Sequence, residues 1–226
     1  MQTLAILVAD YNLPQLKEQE DTLSYLFETF FKHSGFALKF FQVHKNQWPD
    51  FAQYSAYVIT GSKESVLKPT PWIDKLEHFI QQGHYEKLIG ICFGHQLITK
   101  ALGGSVEKGE WHIGVHPIHY TKSIVKHGFQ SPLSVRFNHQ DHVKKLPPKA
   151  ELLYTSAKSE FASFKIDDKI LSMQFHPEYT QEYHVLLTKK NAHLFTDAVL
   201  DETMQNINKP TNHDLILNQI MEFLLI

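Results

Sequence analysis

The only cysteine of this 226-residue chain, Cys92, lies in the segment GICFGHQ, residues 90–96. Gly90 and Gly94 flank it, each two residues away, which is typical of a nucleophile at a sharp turn between a strand and a helix. Such a turn strains the nucleophile, and the glycines let neighbouring backbone pass without a Cβ clash. The free amides and the dipole of the helix N-terminus stabilise a thiolate. The segment therefore predicts a nucleophilic cysteine rather than one more small buried residue.

A thiol nucleophile needs a base, and the base needs a group that orients it. The segment ILSMQFHPEYT, residues 170–180, places His176 two residues before Glu178, just past an apolar run. A His-Pro-Glu sequence alone is more often structural, but its presence beside a nucleophile turn favours catalysis. We therefore predict a Cys92–His176–Glu178 triad in which His176 is the base and later the acid, and Glu178 orients it.

Apolar patterning predicts the strands and helices that would position these residues. Short apolar runs predict strands at residues 4–8, 37–42, 56–60, 88–91, 114–120, 133–137, 152–156, 162–166 and 170–175. Helical spacing predicts helices at residues 15–34, 71–82, 180–199 and 213–225, and after Cys92. Residues 167–169 predict a hairpin turn, and Thr211 or Asn212 is the predicted cap of the last helix.

The alternation of strands and helices in the first half indicates an α/β fold. We predict a single domain over residues 1–226, with a mainly parallel central sheet flanked by helices. The shorter strands after about residue 113 predict a small antiparallel section, and the C-terminal helices complete the fold.

Composition excludes several classes of function. Lys and Arg number 22 against 24 Asp and Glu, a net charge of −2, and no basic block indicates binding to nucleic acid or to a membrane surface. No apolar run reaches the roughly 18 residues of a membrane span. The N-terminus lacks a signal-peptide pattern, and one cysteine cannot form an internal disulfide, so we expect a soluble, cytoplasmic protein. The 15 histidines are scattered without metal-ligand spacing, so neither a metal nor another cofactor is expected.

Taken together, GICFGHQ and MQFHPE resemble the class I, or triad-type, glutamine amidotransferases. In that family an elbow cysteine and a His-x-Glu after a late strand release ammonia from glutamine. Residues 58–73 resemble the family's loop after the third strand, and RFNHQDHVKKLP, residues 136–147, resembles the segment that lines its glutamine pocket. The resemblance covers about residues 50–180, and the C-terminal segment resembles the free-standing, GMP-synthase-like branch. It implies a flavodoxin-like or Rossmann-like sheet.

The resemblance also implies roles for individual residues. Cys92 would carry a thioester, while Phe93 and Gly61 or its neighbour would donate backbone N–H groups to an oxyanion. Relatives commonly carry an acidic residue near the position of His112 or Glu110 that receives the amino group of glutamine. The residues implied to contact the substrate are Gln96, His112, Asn138, His139, Gln140 and Asp141.

Three functions follow as hypotheses. The first is hydrolysis of the side-chain amide of glutamine, with ammonia passed to an unidentified acceptor. Since the chain has no Gly-rich phosphate loop of the G-x-x-x-x-G-K-[ST] type, the acceptor reaction would belong to a separate synthase subunit. The second is a γ-glutamyl peptidase or hydrolase that cleaves γ-glutamyl amides or conjugates through the same thioester. The third, from another class, is a non-catalytic binding or regulatory domain.

Overall fold

A computed structural model of the chain describes residues 2–11, 21–68, 70–121 and 131–225. Across these residues nine strands form one sheet in the order β2-β1-β3-β4-β9-β8-β7-β5-β6. The strands are β1 Thr3–Val8, β2 Ala37–Gln42, β3 Ala56–Ile59, β4 Lys87–Ile91, β5 Ser105–Tyr120, β6 Leu133–Lys145, β7 Glu151–Ser156, β8 Ser159–Ile166 and β9 Ile170–Met173. The α-helices are α1 Thr22–Phe30, α2 Pro71–Gln82, α3 Phe93–Ala101, α4 Gln181–Lys190, α5 Asp197–Asn206 and α6 His213–Leu225.

The first five strands of that order run parallel, and the remaining pairs are antiparallel. Their apolar side chains alternate between the two faces, as strand geometry requires. Leu4 and Ile6 pack in one core with residues of α1 and α6, whereas Ala5 and Leu7 pack in the other core with residues of α2 and α3. This architecture confirms the predicted α/β fold with a central sheet flanked by helices.

Two strands are much longer than predicted. β5 begins at Ser105 instead of 114, and β6 continues to Lys145 instead of ending at 137. Residues 138–141, which follow the predicted end of that strand, therefore belong to β6 and not to a loop after it. The first half of β5 contains exposed charged residues, so a pattern of apolar residues does not predict a strand there. β5 and β6 stabilise each other by pairing along their length, with a bulge between Lys108 and His112.

The helix predicted at residues 15–34 is confirmed only in part. α1 begins after Asp21, whose carboxylate accepts the Ser24 backbone N–H at 3.1 Å, and ends at Phe30. Residues 15–20 of the prediction lie outside the described residues. The helix predicted at 180–199 is two helices, because Thr196 caps a new helix by accepting the Val199 N–H at 3.4 Å.

The turn at 167–169 is confirmed as the hairpin between β8 and β9, with Asp167 at a φ of 48°. Asn212 directly precedes α6, and its backbone carbonyl accepts the Ile216 N–H at 3.2 Å, so it occupies the predicted cap position. Its side-chain oxygen does not cap the helix but accepts the Ser134 N–H at 2.7 Å, so it anchors the start of β6. In the part of the chain that the structure describes, every helix falls short of the length or the apolar character of a membrane span.

Candidate active site

Cys92 occupies the junction between β4 and α3, as the sequence predicts. Its φ of 50° and ψ of −99° lie outside the ordinary regions for a residue with a side chain, a conformation that costs about 1–3 kcal/mol. A Cβ on Gly94 would lie 2.4 Å from the Ile59 carbonyl oxygen, and one on Gly90 would lie 2.8 Å from the Gly94 backbone. Both glycines are therefore required by close backbone packing. The surrounding structure holds a strained cysteine at the N-terminus of a helix.

His176 and Glu178 form a buried pair beside this cysteine. The Nδ1 of His176 donates to Glu178 Oε1 at 2.7 Å, and both residues are only 3% exposed. Burial by itself lowers the pKa of His176. Two partners outweigh burial and raise that pKa: the Glu178 carboxylate, and the Cys92 sulfur through its charge and a hydrogen bond. The imidazole is thereby held protonated at Nδ1 and oriented relative to the sulfur.

Tyr179 supports the imidazole from one face. Its ring stacks on that of His176 with centroids 3.9 Å apart and planes 14° apart. Tyr179 is a site residue beyond those predicted from the sequence, although its place one residue after Glu178 puts it beside the pair. The His176 backbone N–H also donates to the Arg136 carbonyl at 2.8 Å, which ties the histidine to β6.

Gly61 follows β3 and lies against the predicted triad. A Cβ built on it would lie 2.7 Å from His176 Cε1 and 3.7 Å from Cys92 Cβ. Phe93 is the first residue of α3, so its N–H has no acceptor within the helix. The structure therefore places both predicted oxyanion donors next to Cys92.

A cleft of about 630 Å³ opens beside Cys92 and His176. Five of the six residues implied to contact substrate line it: Gln96, Asn138, His139, Gln140 and Asp141. It lies beyond the carboxyl ends of the parallel strands, which is where ligands bind in open α/β sheets.

The side chain of Gln96 also braces the cleft. It is 4% exposed, and its Nε2 donates to the Asp141 carbonyl at 2.9 Å and to Gln174 Oε1 at 3.2 Å. Asp141 in turn accepts from the Ser65 hydroxyl at 2.5 Å, which links β6 to the loop after β3. The Asn138 carbonyl lies 3.8 Å from Cys92 Sγ. These contacts fix β6 along the nucleophile.

His112 is placed differently from the other five. It is absent from the described residues that line the cleft. Its ring packs against those of His139 and His142, with centroids 5.5 Å and 4.6 Å away, and its Nδ1 donates to the Lys158 carbonyl. The three imidazoles could together hold a metal ion, whereas no metal site was expected from the sequence.

The profile of the family described as glutamine amidotransferase class-I matches residues 16–193. The chain belongs to the class I glutamine amidotransferase family. A glutamine amidotransferase-like protein of Schizosaccharomyces pombe is 30% identical to it over 83% of this chain and 81% of the relative. Gamma-glutamyl peptidase 4 of Arabidopsis thaliana is 35% identical to this chain over a segment that covers 63% of this chain and 62% of the peptidase. A glutamine-hydrolyzing GMP synthase subunit of Methanothermobacter thermautotrophicus is 30% identical over 65% and 83% of the two chains.

Solved structures of glutamine amidotransferases share the fold. The structure from Thermotoga maritima superposes on this chain with a TM-score of 0.75 at 18% sequence identity. The superposition covers 99% of this chain and 97% of the Thermotoga maritima chain. One from Methylobacillus flagellatus gives a TM-score of 0.74 at 18% identity, over 98% and 91% of the two chains. The class I amidotransferase architecture therefore extends along the whole sheet described above.

Replacing Gly61 by alanine in this amidotransferase is expected to lower kcat by about 10- to 100-fold. The added methyl group would meet the His176 ring at 2.7 Å, so the ring must move away from Cys92, and displacements of about 1 Å have effects of this size. Steady-state kinetics together with the thermal unfolding midpoint, Tm, measure the effect. A variant that is fully folded and retains the wild-type kcat would contradict this placement of Gly61.

Asp10, at the carboxyl end of β1, lines the cleft and is not among the site residues predicted from the sequence. Burial raises its pKa from 3.8 to about 6, against the opposing effect of the Tyr11 backbone N–H and the Lys63 charge. The sequence feature that could have indicated Asp10 is an acidic residue at the end of the apolar run that forms a buried parallel strand. Such a carboxylate is costly to the fold once it is ionised.

We expect Asp10→Asn to raise Tm above pH 6 by about 2–8 °C. Below pH 3.8 the carboxyl group is protonated in both the folded and the unfolded chain, so the gain disappears; it grows as the pH rises from 3.8 to about 6. Thermal melts across this range measure it, with Asp201→Asn at an exposed site of α5 as the control. A gain that does not vary with pH would be inconsistent with a buried, ionising Asp10.

Proposed function

We propose that this chain is a cysteine hydrolase that cleaves a γ-glutamyl amide through a thioester on Cys92, with glutamine as the first substrate. The observation that carries the proposal is a strained cysteine at a helix N-terminus beside a buried His176–Glu178 pair whose atoms are 2.7 Å apart. This arrangement costs conformational and desolvation energy that a purely structural role does not require. It argues against the non-catalytic alternative.

In the first half-reaction the Cys92 thiolate attacks the side-chain carbonyl carbon, and the carbonyl π electrons move to oxygen. The backbone N–H groups of Phe93 and of Gly61 or its neighbour stabilise this oxyanion. One such donor is worth about 10²- to 10³-fold in rate. When the tetrahedral intermediate collapses, the C–N bond breaks and His176 donates its proton to the leaving nitrogen. Ammonia or an amine departs and the acyl group remains on sulfur.

In the second half-reaction His176, now neutral, accepts a proton from water as the water attacks the thioester. Collapse of this second intermediate breaks the C–S bond, releases the free γ-carboxyl group and regenerates the thiolate and imidazolium. Glu178 stays ionised throughout and keeps the imidazole in one tautomer and orientation. No cofactor takes part in either step.

The first proposal also specifies glutamine as the substrate and a separate synthase subunit as the partner that uses the ammonia. A relative at 30% identity is named as one subunit of a glutamine-hydrolyzing GMP synthase. We propose that ammonia from this chain likewise passes to a separate synthase subunit, whose acceptor is unidentified. The free thiol that the mechanism needs fits the predicted cytoplasmic location, and the continuous sheet supports one domain over residues 1–226.

A second candidate, hydrolysis of γ-glutamyl peptides or conjugates, is favoured by the size and lining of the cleft. Its volume of about 630 Å³ is in the range that holds drug-sized ligands, about 300–1,000 Å³. Leu67 and Leu194 line it, although they are 44% and 49% exposed. Exposed leucines at a cleft provide apolar area for a leaving group larger than ammonia. Four relatives at 31–35% identity are named gamma-glutamyl peptidases.

A hydrolysis panel separates the two substrates. Glutamine and γ-glutamyl dipeptides with small or apolar second residues are incubated with the wild type and with Cys92→Ala, and glutamate, ammonia and free amine are measured. Glutamate formation from glutamine by the wild type alone supports the first proposal. Cleavage of dipeptides with glutamine inert supports the second. Turnover of neither class, or equal turnover by Cys92→Ala, would overturn the proposed hydrolysis.

The leucines allow a sharper test of the second candidate. We expect Leu194→Ser to raise KM for γ-glutamyl dipeptides with an apolar second residue and to leave KM for small substrates unchanged. Met204→Ser, at a residue of α5 that is 52% exposed, is the matched control. A KM for apolar dipeptides that is the same in Leu194→Ser as in the wild type would show that the leaving group does not contact this residue.

A further inference from the structure

Three histidines come together on β5 and β6 beside the cleft, and neither half-reaction uses them. This three-histidine cluster consists of His112, His139 and His142, each of which offers one ring nitrogen within 4.8 Å of the others. The rings are steeply inclined to one another, at 67–85°, so no two of them stack face to face. Two of the rings lie on one strand and the third on its antiparallel partner.

Hydrogen bonds to backbone carbonyls fix the tautomers of two of these rings. His112 Nδ1 is paired with the Lys158 carbonyl, and His142 Nε2 with the Glu110 carbonyl at 2.8 Å. A carbonyl can only accept, so those nitrogens carry the hydrogens. The lone pairs then lie on His112 Nε2 and His142 Nδ1. Histidines that bind metals characteristically donate their second nitrogen in this way.

His139 supplies an independent observation that points to a ligand. It is 3% exposed, and neither of its ring nitrogens has a hydrogen-bond partner. Leaving a buried polar group unpaired costs about 1–3 kcal/mol. A positive ion bound by a ring nitrogen would satisfy the unpaired group.

We propose that the three-histidine cluster is a binding site for a divalent transition-metal ion, with Zn²⁺ as the ion that suits it best. Three imidazoles with a fourth position left for water or another ligand match the tetrahedral preference of Zn²⁺. Zn–N bonds of about 2.0–2.1 Å bring the nitrogens to about 3.4 Å apart, so movements of about 1 Å complete the site.

The fold holds this site close to the nucleophile. His139 directly follows Asn138, whose carbonyl lies 3.8 Å from Cys92 Sγ. A Cβ on Gly109 would lie 2.5 Å from His142 Cδ2, so the bulge of β5 needs a glycine to let this ring approach. An ion at the cluster would therefore clamp β5 to β6 at the side of the catalytic cleft.

Metal binding by chelator-treated full-length protein tests the proposal. Titrations use Zn²⁺ by calorimetry and Co²⁺ by visible absorption, and circular dichroism verifies folding. We expect one ion per chain, with a Co²⁺ spectrum of tetrahedral nitrogen ligation and without sulfur-to-cobalt charge transfer. His112→Gln and His142→Gln, at half-buried positions, should weaken binding by about tenfold or more. Cys92→Ala and the control His78→Gln, on the exposed side of α2, should bind as the wild type does.

Zn²⁺ should also raise Tm of the wild type but not of His142→Gln, since a ligand that binds only the folded chain stabilises it. Three results would overturn the proposal: no stoichiometric binding, equal binding by folded His112→Gln and His142→Gln, or loss of binding in Cys92→Ala alone. The last would assign the ion to the thiol. None of these readouts depends on hydrolysis, so the metal site and the proposed enzymatic function can fail separately.

Discussion

Replacement of Cys92 by alanine is expected to lower the rate of γ-glutamyl amide hydrolysis by about 10⁴-fold or more, to the background rate. The proposed thioester cannot form without the sulfur, and no second cysteine exists to replace it. The fold should survive, because alanine keeps the Cβ at this turn and adds no atom to it. Release of glutamate and ammonia, together with Tm, measures both effects.

Cys92→Ser is the matched variant for this prediction. It keeps the size and geometry of the side chain but replaces the thiol by a hydroxyl group that is far harder to deprotonate. We expect it to be nearly as inactive as Cys92→Ala and to bind substrate as the wild type does. A folded Cys92→Ala variant with wild-type turnover would contradict a cysteine mechanism altogether.

Glu178→Gln is expected to lower kcat by about 10²- to 10⁴-fold, in line with the loss of an orienting carboxylate in a triad. Glutamine keeps the volume but removes the charge that the buried His176 ring faces at 2.7 Å. A glutamine-analogue electrophile should still label Cys92, although more slowly, because Glu178 orients the base and does not attack. Equal loss of labelling and turnover would contradict this role.

The pH profile of Glu178→Gln gives a second measurement of the same pair. Burial opposes the imidazolium and the Glu178 charge favours it, so removing the charge lowers the pKa of His176. His176 then loses its proton at lower pH, and the alkaline limb of kcat/KM should shift to lower pH. Glu160→Gln, at an exposed position of β8, should leave the limb in place. An unshifted limb in Glu178→Gln would show that the pair does not control the reaction.

The residues of the proposed triad were the most predictable part of the candidate site. Gly90 and Gly94 mark a turn that only small residues can make, and His176 and Glu178 follow a strand that ends at the same edge of the sheet. Local backbone sterics therefore indicated which side chains meet. The α/β fold was equally accessible, because buried parallel strands such as β1 and β3 are continuous apolar runs.

The three-histidine cluster could not be read from spacing. His139 and His142 are three residues apart, and on a regular strand such residues face opposite sides. They converge in the structure where the β5 ladder shifts between Lys108 and His112. Register and bulges depend on pairing between segments far apart in the chain, so a search for local motifs found only scattered histidines.

The C-terminal region shows the same limit in another form. Thr196 and Asn212 are both good capping residues, but only Thr196 caps a helix through its side chain. Asn212 instead accepts from Ser134, which lies 78 positions earlier in the chain. Which of several competent side chains caps a helix is decided by tertiary neighbours rather than by local propensity.

Trapping the acyl-enzyme tests the central claim most directly. The wild type is acid-quenched during turnover of glutamine and of a γ-glutamyl dipeptide, and intact mass and peptide mapping locate any adduct. The mechanism predicts one glutamyl group per chain, bound as a thioester to the peptide that carries Cys92 and absent from Cys92→Ala. Turnover with the adduct on another residue, or sustained turnover by Cys92→Ala, would contradict the mechanism.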